Sequence, residues 1–300
     1  NASKGLKKMT PALYERSLLE DLAPLEGPNA TRDLSTADPT EPDSYRLAFA
    51  DPEFMARRET RGIRFQLELL KPDLDQQAMG IEHTVVVYGS ARFVDLEAAT
   101  QALQQAQASG DAQALALAER DMRNAQRYEA ARRFAYLVAQ YSKHHPTNQR
   151  VYVCTGGGPG IMEAANRGAY DAGAPTIGLN ILLPHEQHGN PYISPGLSFK
   201  FHYFALRKMH FLMRAKALVA FPGGFGTMDE LFEVLTLVQT TKIKPVPIVL
   251  YDSKFWKRLF NFELLVEEGV ISPEDLTLFQ YADTPEEAWQ IFKDFYQLKD

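Results

Sequence analysis

Cysteine is nearly absent: the 300 residues hold one, Cys154. A single thiol excludes an intrachain disulfide and a cysteine-based zinc site, and it fits a reducing compartment such as the cytoplasm. Long apolar runs are missing too. No stretch approaches the roughly 20 residues that a membrane-spanning helix needs. The Lys-rich N-terminal residues lack the apolar core of a signal peptide, so neither membrane insertion nor secretion is expected. Positive charge is in deficit. With 32 Lys and Arg against 38 Asp and Glu, the net charge is −6, which argues against general nucleic-acid binding, since that needs a basic face. A local cluster of cations around one phosphate remains open. Two fingerprints are also absent: no Gly-Lys-Ser/Thr closes a Walker A loop, and no spacing fits G-x-G-x-x-G. What is present is ordinary globular composition, 45% hydrophobic, at a length that suits one large α/β domain or two small ones.

The stretch around which the chain is organised runs from Ala217 to Glu230. Ala217-Leu218-Val219-Ala220-Phe221 reads as a buried strand, Pro222-Gly223-Gly224-Phe225-Gly226 as a turn, and Thr227-Met228-Asp229-Glu230 as the start of a helix. Glycines allow close approach of the backbone to a ligand. The helix start offers unpaired N–H groups and the positive end of its dipole, so Gly223, Gly224, Gly226 and Thr227 form a candidate phosphate cradle. A second account stands beside it: Thr227-x-x-Glu230 has the spacing of a capping box, which would make both residues structural.

Strands and helices alternate along the rest. Residues 1 to about 45 are rich in Pro, Asp, Thr and Ser and read as an extended arm. A helix is expected over Glu53–Leu70, broken by Pro72, with a short helix over Asp73–Met79. Thr84–Tyr88 is a β-branched strand that ends in Gly89-Ser90-Ala91-Arg92. Ser90 is a candidate ligand residue there, and Arg92 reads more simply as a surface loop arginine. Asp95 to about Lys143 is Ala-rich with a break at Ser109-Gly110-Asp111, giving an inserted helical hairpin before a crossover helix over Asn124–Ser142. Val151–Thr155 is the next strand. It runs into a second glycine turn that makes Gly157, Gly158, Gly160 and Met162 further ligand candidates, and a helix follows over Ile161–Ala172. Pro175–Ile181 is a strand carrying Asn180, another candidate.

His185 and His188 lie in the polar loop that follows. Their His-Glu-x-His spacing is not that of a zincin and no third ligand is near, so no metal is expected. Leu197–His202 reads as a strand and Tyr203–Lys216 as a helix, on which Arg207, His210 and Arg214 share one face. Lys208 adds charge beside them. Helices over Met228–Thr240, Ser253–Glu268 and Pro285–Gln297, with strands over Pro247–Tyr251 and Leu276–Tyr281, complete the pattern. This alternation implies an α/β fold: a Rossmann-like, doubly wound parallel sheet flanked by helices, with an N-terminal helical extension. The expected division is residues 1–80 for arm and extension and 81–300 for the main domain, with the helical insertion at about 95–125.

Three stretches together resemble the LOG family, long labelled "possible lysine decarboxylase". They are Val87-Tyr88-Gly89-Ser90-Ala91-Arg92, then Gly156-Gly157-Gly158-Pro159-Gly160-Ile161-Met162-Glu163-Ala164-Ala165-Asn166, then Arg207-Lys208 with Pro222-Gly223-Gly224-Phe225-Gly226-Thr227-Met228-Asp229-Glu230. The resemblance runs from about Thr84 to the C-terminus, and the larger bacterial branch is the most similar. It implies a homodimer, or a higher homo-oligomer, that cleaves the N-glycosidic bond of nucleoside 5′-monophosphates such as AMP or cytokinin riboside monophosphates. It makes Arg207 and Glu230 the essential pair, with Gly223, Gly224, Gly226 and Thr227 on the phosphate. No cofactor is implied. The decarboxylase label lacks chemical support, because a pyridoxal enzyme needs a Schiff-base lysine and Lys208, the one lysine in a motif, sits beside an anion site. A non-catalytic nucleotide-binding or sensing protein is the alternative, and a scaffold whose glycine loops are only turns is a weaker one.

Overall fold

The computed structural model describes residues 45–183 and 189–298. The chain divides into two compact units, the first ending at Leu70 and the second beginning at Lys71.

In the first unit a short helix, α1 (Pro52–Ala56), is capped by the Asp51 side chain, which accepts from Phe54 N. The Thr60 hydroxyl reaches back to the carbonyls of Met55 and Arg57 at 2.9 and 2.8 Å. α2 (Arg61–Ala78) follows and runs through Pro72 without interruption, where a break was expected. An internal proline costs about 3 kcal/mol. The residues after it are held from outside the helix: Arg214 pairs with the Asp73 carboxylate at 2.7 Å and donates to its carbonyl at 3.0 Å. The Gln76 amide also donates to the Pro72 carbonyl.

The second unit is built on one sheet of seven parallel strands: β1 (Thr84–Tyr88), β2 (Tyr152–Thr155), β3 (Thr176–Ile181), β4 (Ser198–Phe201), β5 (Ala215–Ala220), β6 (Ile248–Tyr251) and β7 (Gln280–Ala282). Their order is β4-β3-β2-β1-β5-β6-β7. The chain winds outward from β1 to β4, then returns to the other side of β1 with β5. Such a reversal leaves a crevice at the carboxyl ends of the two central strands, here β1 and β5, whose register pairs Tyr88 with Ala220.

Helices cover both faces. Alternate strand residues Val85, Val87, Val153, Ala217 and Val219 join the core beneath α4 (Ala112–His144), α5 (Ile161–Asp171) and α10 (Pro285–Tyr296). On the opposite face Tyr88 meets Phe211 of α6 (Phe204–Met213) edge-on, with ring centroids 5.2 Å apart. α7 (Phe225–Gln239) follows β5 and is the helix of the glycine-rich motif.

Several boundaries differ from expectation. The hairpin is real, with α3 (Leu96–Ser109) turning at Gly110 (φ 68°) into α4. Yet no separate crossover helix begins at Asn124: α4 is one helix of 33 residues, because nothing between Gln113 and Lys143 is a strong breaker. α6 stops at Met213, and Lys216 lies in β5 rather than on the helix. The helix expected over Ser253–Glu268 is two, α8 (Ser253–Leu259) and α9 (Phe262–Glu267), since Phe260 is extended and Asn261 caps the second. The last strand is Gln280–Ala282, and most of the residues before it form a 3-10 helix, Pro273–Leu278.

Candidate active site

The three loops that leave β1, β2 and β5 interlock through their backbones. Ser90 N donates to the Pro222 carbonyl at 3.1 Å, and Ile161 N donates to the Ser90 carbonyl at 3.0 Å. Ser90 is therefore a rivet between the two glycine turns, and its hydroxyl accepts from Arg92 N. Arg92 itself is exposed. The rivet requires glycine at one point. Gly160 has φ +70°, and a Cβ there would stand 2.2 Å from the Ser90 carbonyl oxygen.

A buried polar network fixes the second turn. Asn166 accepts from the Thr155 hydroxyl (2.7 Å) and from the Asn190 amide (2.9 Å), and donates to the Thr176 hydroxyl (2.6 Å). Thr155 also accepts from Gly157 N, and Asn190 donates to the Gly158 carbonyl. Asn180 packs against Gly157, where a Cβ would come within 2.4 Å of its side chain, while its amide donates to the Phe199 carbonyl and the Ser198 hydroxyl. The Met162 sulfur lies over Gly156. Asn166 and Asn190 escaped sequence reasoning. Asn166 falls inside the quoted motif but looked like one more polar residue on a helix.

Arg207 and Glu230 come together over these loops. The guanidinium is held along its own helix by two rings: Phe204, three residues earlier, at 4.9 Å from ring centroid to guanidinium carbon, and Phe211, four residues later, at 5.7 Å. Cation–π contacts at this range both attract and orient. One guanidinium nitrogen reaches toward Gly156, 3.9 Å from where its Cβ would be, and another stands 3.8 Å from Glu230 Oε1. Glu230 is only 5% exposed. Burial raises its pKa from 4.5 to about 7, although Arg207 and Lys208 pull it down. The carboxyl is thus poised between acid and base at neutrality, a property that clusters at functional sites.

The capping-box account of Glu230 is corrected. α7 begins at Phe225 with Gly224 as its N-cap, without a side-chain cap, so Thr227 and Glu230 are interior positions. A Cβ on Gly223 would strike the Thr227 hydroxyl at 2.0 Å, so that hydroxyl lies directly against the turn. Gly224 and Gly226 border open space.

Other cations are used differently. Lys208 is turned to the outer carboxylates of α7, Asp229 at 2.9 Å and Glu233 at 2.8 Å. Arg214 faces away from the loops, clamped to Asp73 and to the Ile81 carbonyl. His210 is buried against Phe201. His185 and His188 lie outside the described residues. Among the described residues no group of three His, Cys, Asp or Glu is placed to hold a metal ion, and no helix is long and apolar enough to cross a membrane.

A doubly wound parallel sheet, two interlocked glycine turns at its switch point and a half-buried arginine facing a buried glutamate define an α/β protein with an ionisable carboxyl at the carboxyl ends of its central strands. Comparison with known proteins narrows the class. The family profile described as "Possible lysine decarboxylase" matches residues 162–292. The cytokinin riboside 5′-monophosphate phosphoribohydrolase LOG3 of Arabidopsis thaliana is 32% identical over 135 residues, 44% of this chain and 61% of that protein. The probable cytokinin riboside 5′-monophosphate phosphoribohydrolase LOGL3 of Oryza sativa subsp. japonica is 30% identical over 148 residues, 48% of this chain and 69% of that protein. The X-ray structure of TM1055 is similar at 22% identity and a TM-score of 0.45, covering 71% of this chain and 99% of that one. The chain belongs to the LOG, or lysine decarboxylase-like, family. It spans 61% of the length of the Arabidopsis relative.

Proposed function

We propose that this chain hydrolyses the N-glycosidic bond of nucleoside 5′-monophosphates, AMP or a cytokinin riboside monophosphate, to free base and ribose 5-phosphate. The observation that carries the reading is the buried Glu230 facing a half-buried Arg207 over two glycine turns. The phosphate sits on Gly223, Gly224, Gly226 and Thr227 at the start of α7, where N–H groups and the helix dipole favour an anion. Glu230 lies one turn further and meets the ribose. Cleavage builds positive charge on the sugar, which an ionised carboxylate stabilises. The C1′–N bond breaks with its electron pair going to the base, water supplies hydroxide to C1′, and its proton ends on the base. Glu230, near neutrality in pKa, can pass that proton. Arg207 meets the anionic substrate.

The relatives' names support a phosphoribohydrolase. Decarboxylation through a lysine imine fits poorly. Such a lysine must be deprotonated, whereas, against the effect of its burial, the hydrogen bonds that Lys208 donates to Glu233 and Asp229 raise its pKa. We further propose that a second copy of the chain packs beside the cleft, where Phe225 is 96% exposed. The buried free thiol and a nucleotide substrate fit the cytoplasm.

The deciding experiment incubates the protein with AMP and follows free adenine by chromatography. Adenine is expected, and Glu230→Gln should lower the rate by roughly a hundredfold or more, the scale of losing one preorganised electrostatic group. Tight AMP binding with no base released from any nucleoside monophosphate would overturn the hydrolase and leave a nucleotide sensor.

A further inference from the structure

Tyr88 is the last residue of β1, at the switch point and in register with Ala220, whose strand leads into the glycine turn of α7. Its ring is pinned edge-on by Phe211, the same ring that holds Arg207. Its hydroxyl is buried and has no hydrogen-bond partner. A buried tyrosine hydroxyl normally finds one, and solvent does not reach this one. The partner must therefore be a protein group that moves.

The charged and titratable groups that bear on the hydroxyl are Glu230, Cys154, Arg207 and Glu233. Arg207 has no acceptor to offer. Burial keeps the Cys154 thiol protonated and a weak acceptor. Glu233 is held by Lys208 at 2.8 Å. That leaves Glu230, whose carboxylate stands 3.8 Å from Arg207, too far for a hydrogen bond. The other charges facing Glu230 are Lys208 from α6, and Glu233 and Asp229 from its own helix. Lys208 is already committed to those two carboxylates.

We infer that Tyr88 is a positioning residue for Glu230: when a bound phosphorylated ligand draws the Arg207 guanidinium to itself, the Tyr88 hydroxyl donates to the carboxylate that Arg207 leaves. Without this transfer the loaded site would hold a buried carboxylate that had lost its counter-charge, and the carboxyl would take up a proton. With it, Glu230 stays ionised and fixed in direction while substrate is bound. The inference rests on the proposed function only in its choice of ligand.

The test needs no activity. Removing the cation by Arg207→Gln imitates its withdrawal, and the Glu230 carboxyl is titrated by NMR in 13C-glutamate-labelled full chain, its signal assigned by Glu230→Gln. The midpoint in R207Q/Y88F is expected about one pH unit above that in R207Q, a tenfold change in proton affinity. Equal midpoints would overturn the inference. Tyr88→Phe removes only a hydroxyl without a partner, so thermal stability below pH 6 should match the parent; a clear loss there would mean that the hydroxyl has a structural partner and would also overturn it. Ribose 5-phosphate that fails to bind the parent protein sinks the hydrolase reading and leaves the midpoint comparison intact.

Discussion

At the scale of single residues, Glu230 carries the most unusual physical state in the chain. Its pKa in the folded protein is raised by burial to about 7 from 4.5, so the folded state holds a proton that the unfolded state has released. Between those two values stability falls as pH rises, because the unfolded chain binds fewer protons there. Below about pH 4.5 the group is neutral in both states and costs nothing. Above 7 the full penalty is present, about 3 kcal/mol by the size of the shift. Glu230→Gln is therefore expected to leave stability unchanged near pH 4.5 and to raise it by about 2–3 kcal/mol at pH 8. Urea unfolding at the two pH values checks this. A variant equally stable relative to the parent at both would mean that Glu230 is ionised normally. The same substitution that abolishes the proposed chemistry thus strengthens the fold, the usual opposition between activity and stability at a working site.

At the scale of elements, two arginines on one helix face part company. The spacing placed Arg207 and Arg214 together, but α6 ends between them, so one reaches the cleft and the other closes a seam. Arg214 is partly buried against Asp73 and the Ile81 carbonyl. Arg214→Ala should cost about 1–3 kcal/mol, the scale for losing charge-assisted hydrogen bonds at a partly buried ion pair, with the affinity for AMP unchanged. Denaturation and calorimetric binding separate the two effects, and an intact fold with lost AMP affinity would place Arg214 in the site.

What the sequence made legible follows the same line. The strands and the two glycine turns could be read because each rests on a local pattern, β-branched runs and glycine spacing; Arg207 and Glu230 were named as a pair only by the family resemblance, and it is the fold that brings them within 3.8 Å of each other. The capping box shows the limit. Thr284-x-x-Glu287 and Thr227-x-x-Glu230 share one pattern, and the first does form a capping box. The second does not, because the helix begins at Phe225, two residues before Thr227. Only the path of the turn decides this. Pro72 was misread for a related reason: the clamp from Arg214 that holds the helix past it comes from about 140 residues away in sequence. Tyr88 looked like the end of a strand, and nothing local reveals a hydroxyl without a partner.

At the scale of the whole molecule, Phe225 is the clearest invitation to a second copy, a nearly bare aromatic ring beside the glycine turn that follows β5. Sedimentation velocity at micromolar concentration should find a dimer, and Phe225→Glu should shift it toward monomer, since a charge buried unpaired in an interface is strongly unfavourable. A parent protein that sediments as a monomer with full activity would refute the assembly. The order of strands has a consequence for how the molecule is made. β1 is bordered on one side by β2 and on the other by β5, which follows it by well over a hundred residues. A ribosome releasing this chain would expose β4-β3-β2-β1 as a four-stranded sheet whose β1 edge lies open until β5 emerges. Loop closure of that length is slow relative to local folding, and an open parallel edge invites other chains. The strand order that creates the crevice thus leaves the β1 edge unpaired from the emergence of β1 until β5 (Ala215–Ala220) is made.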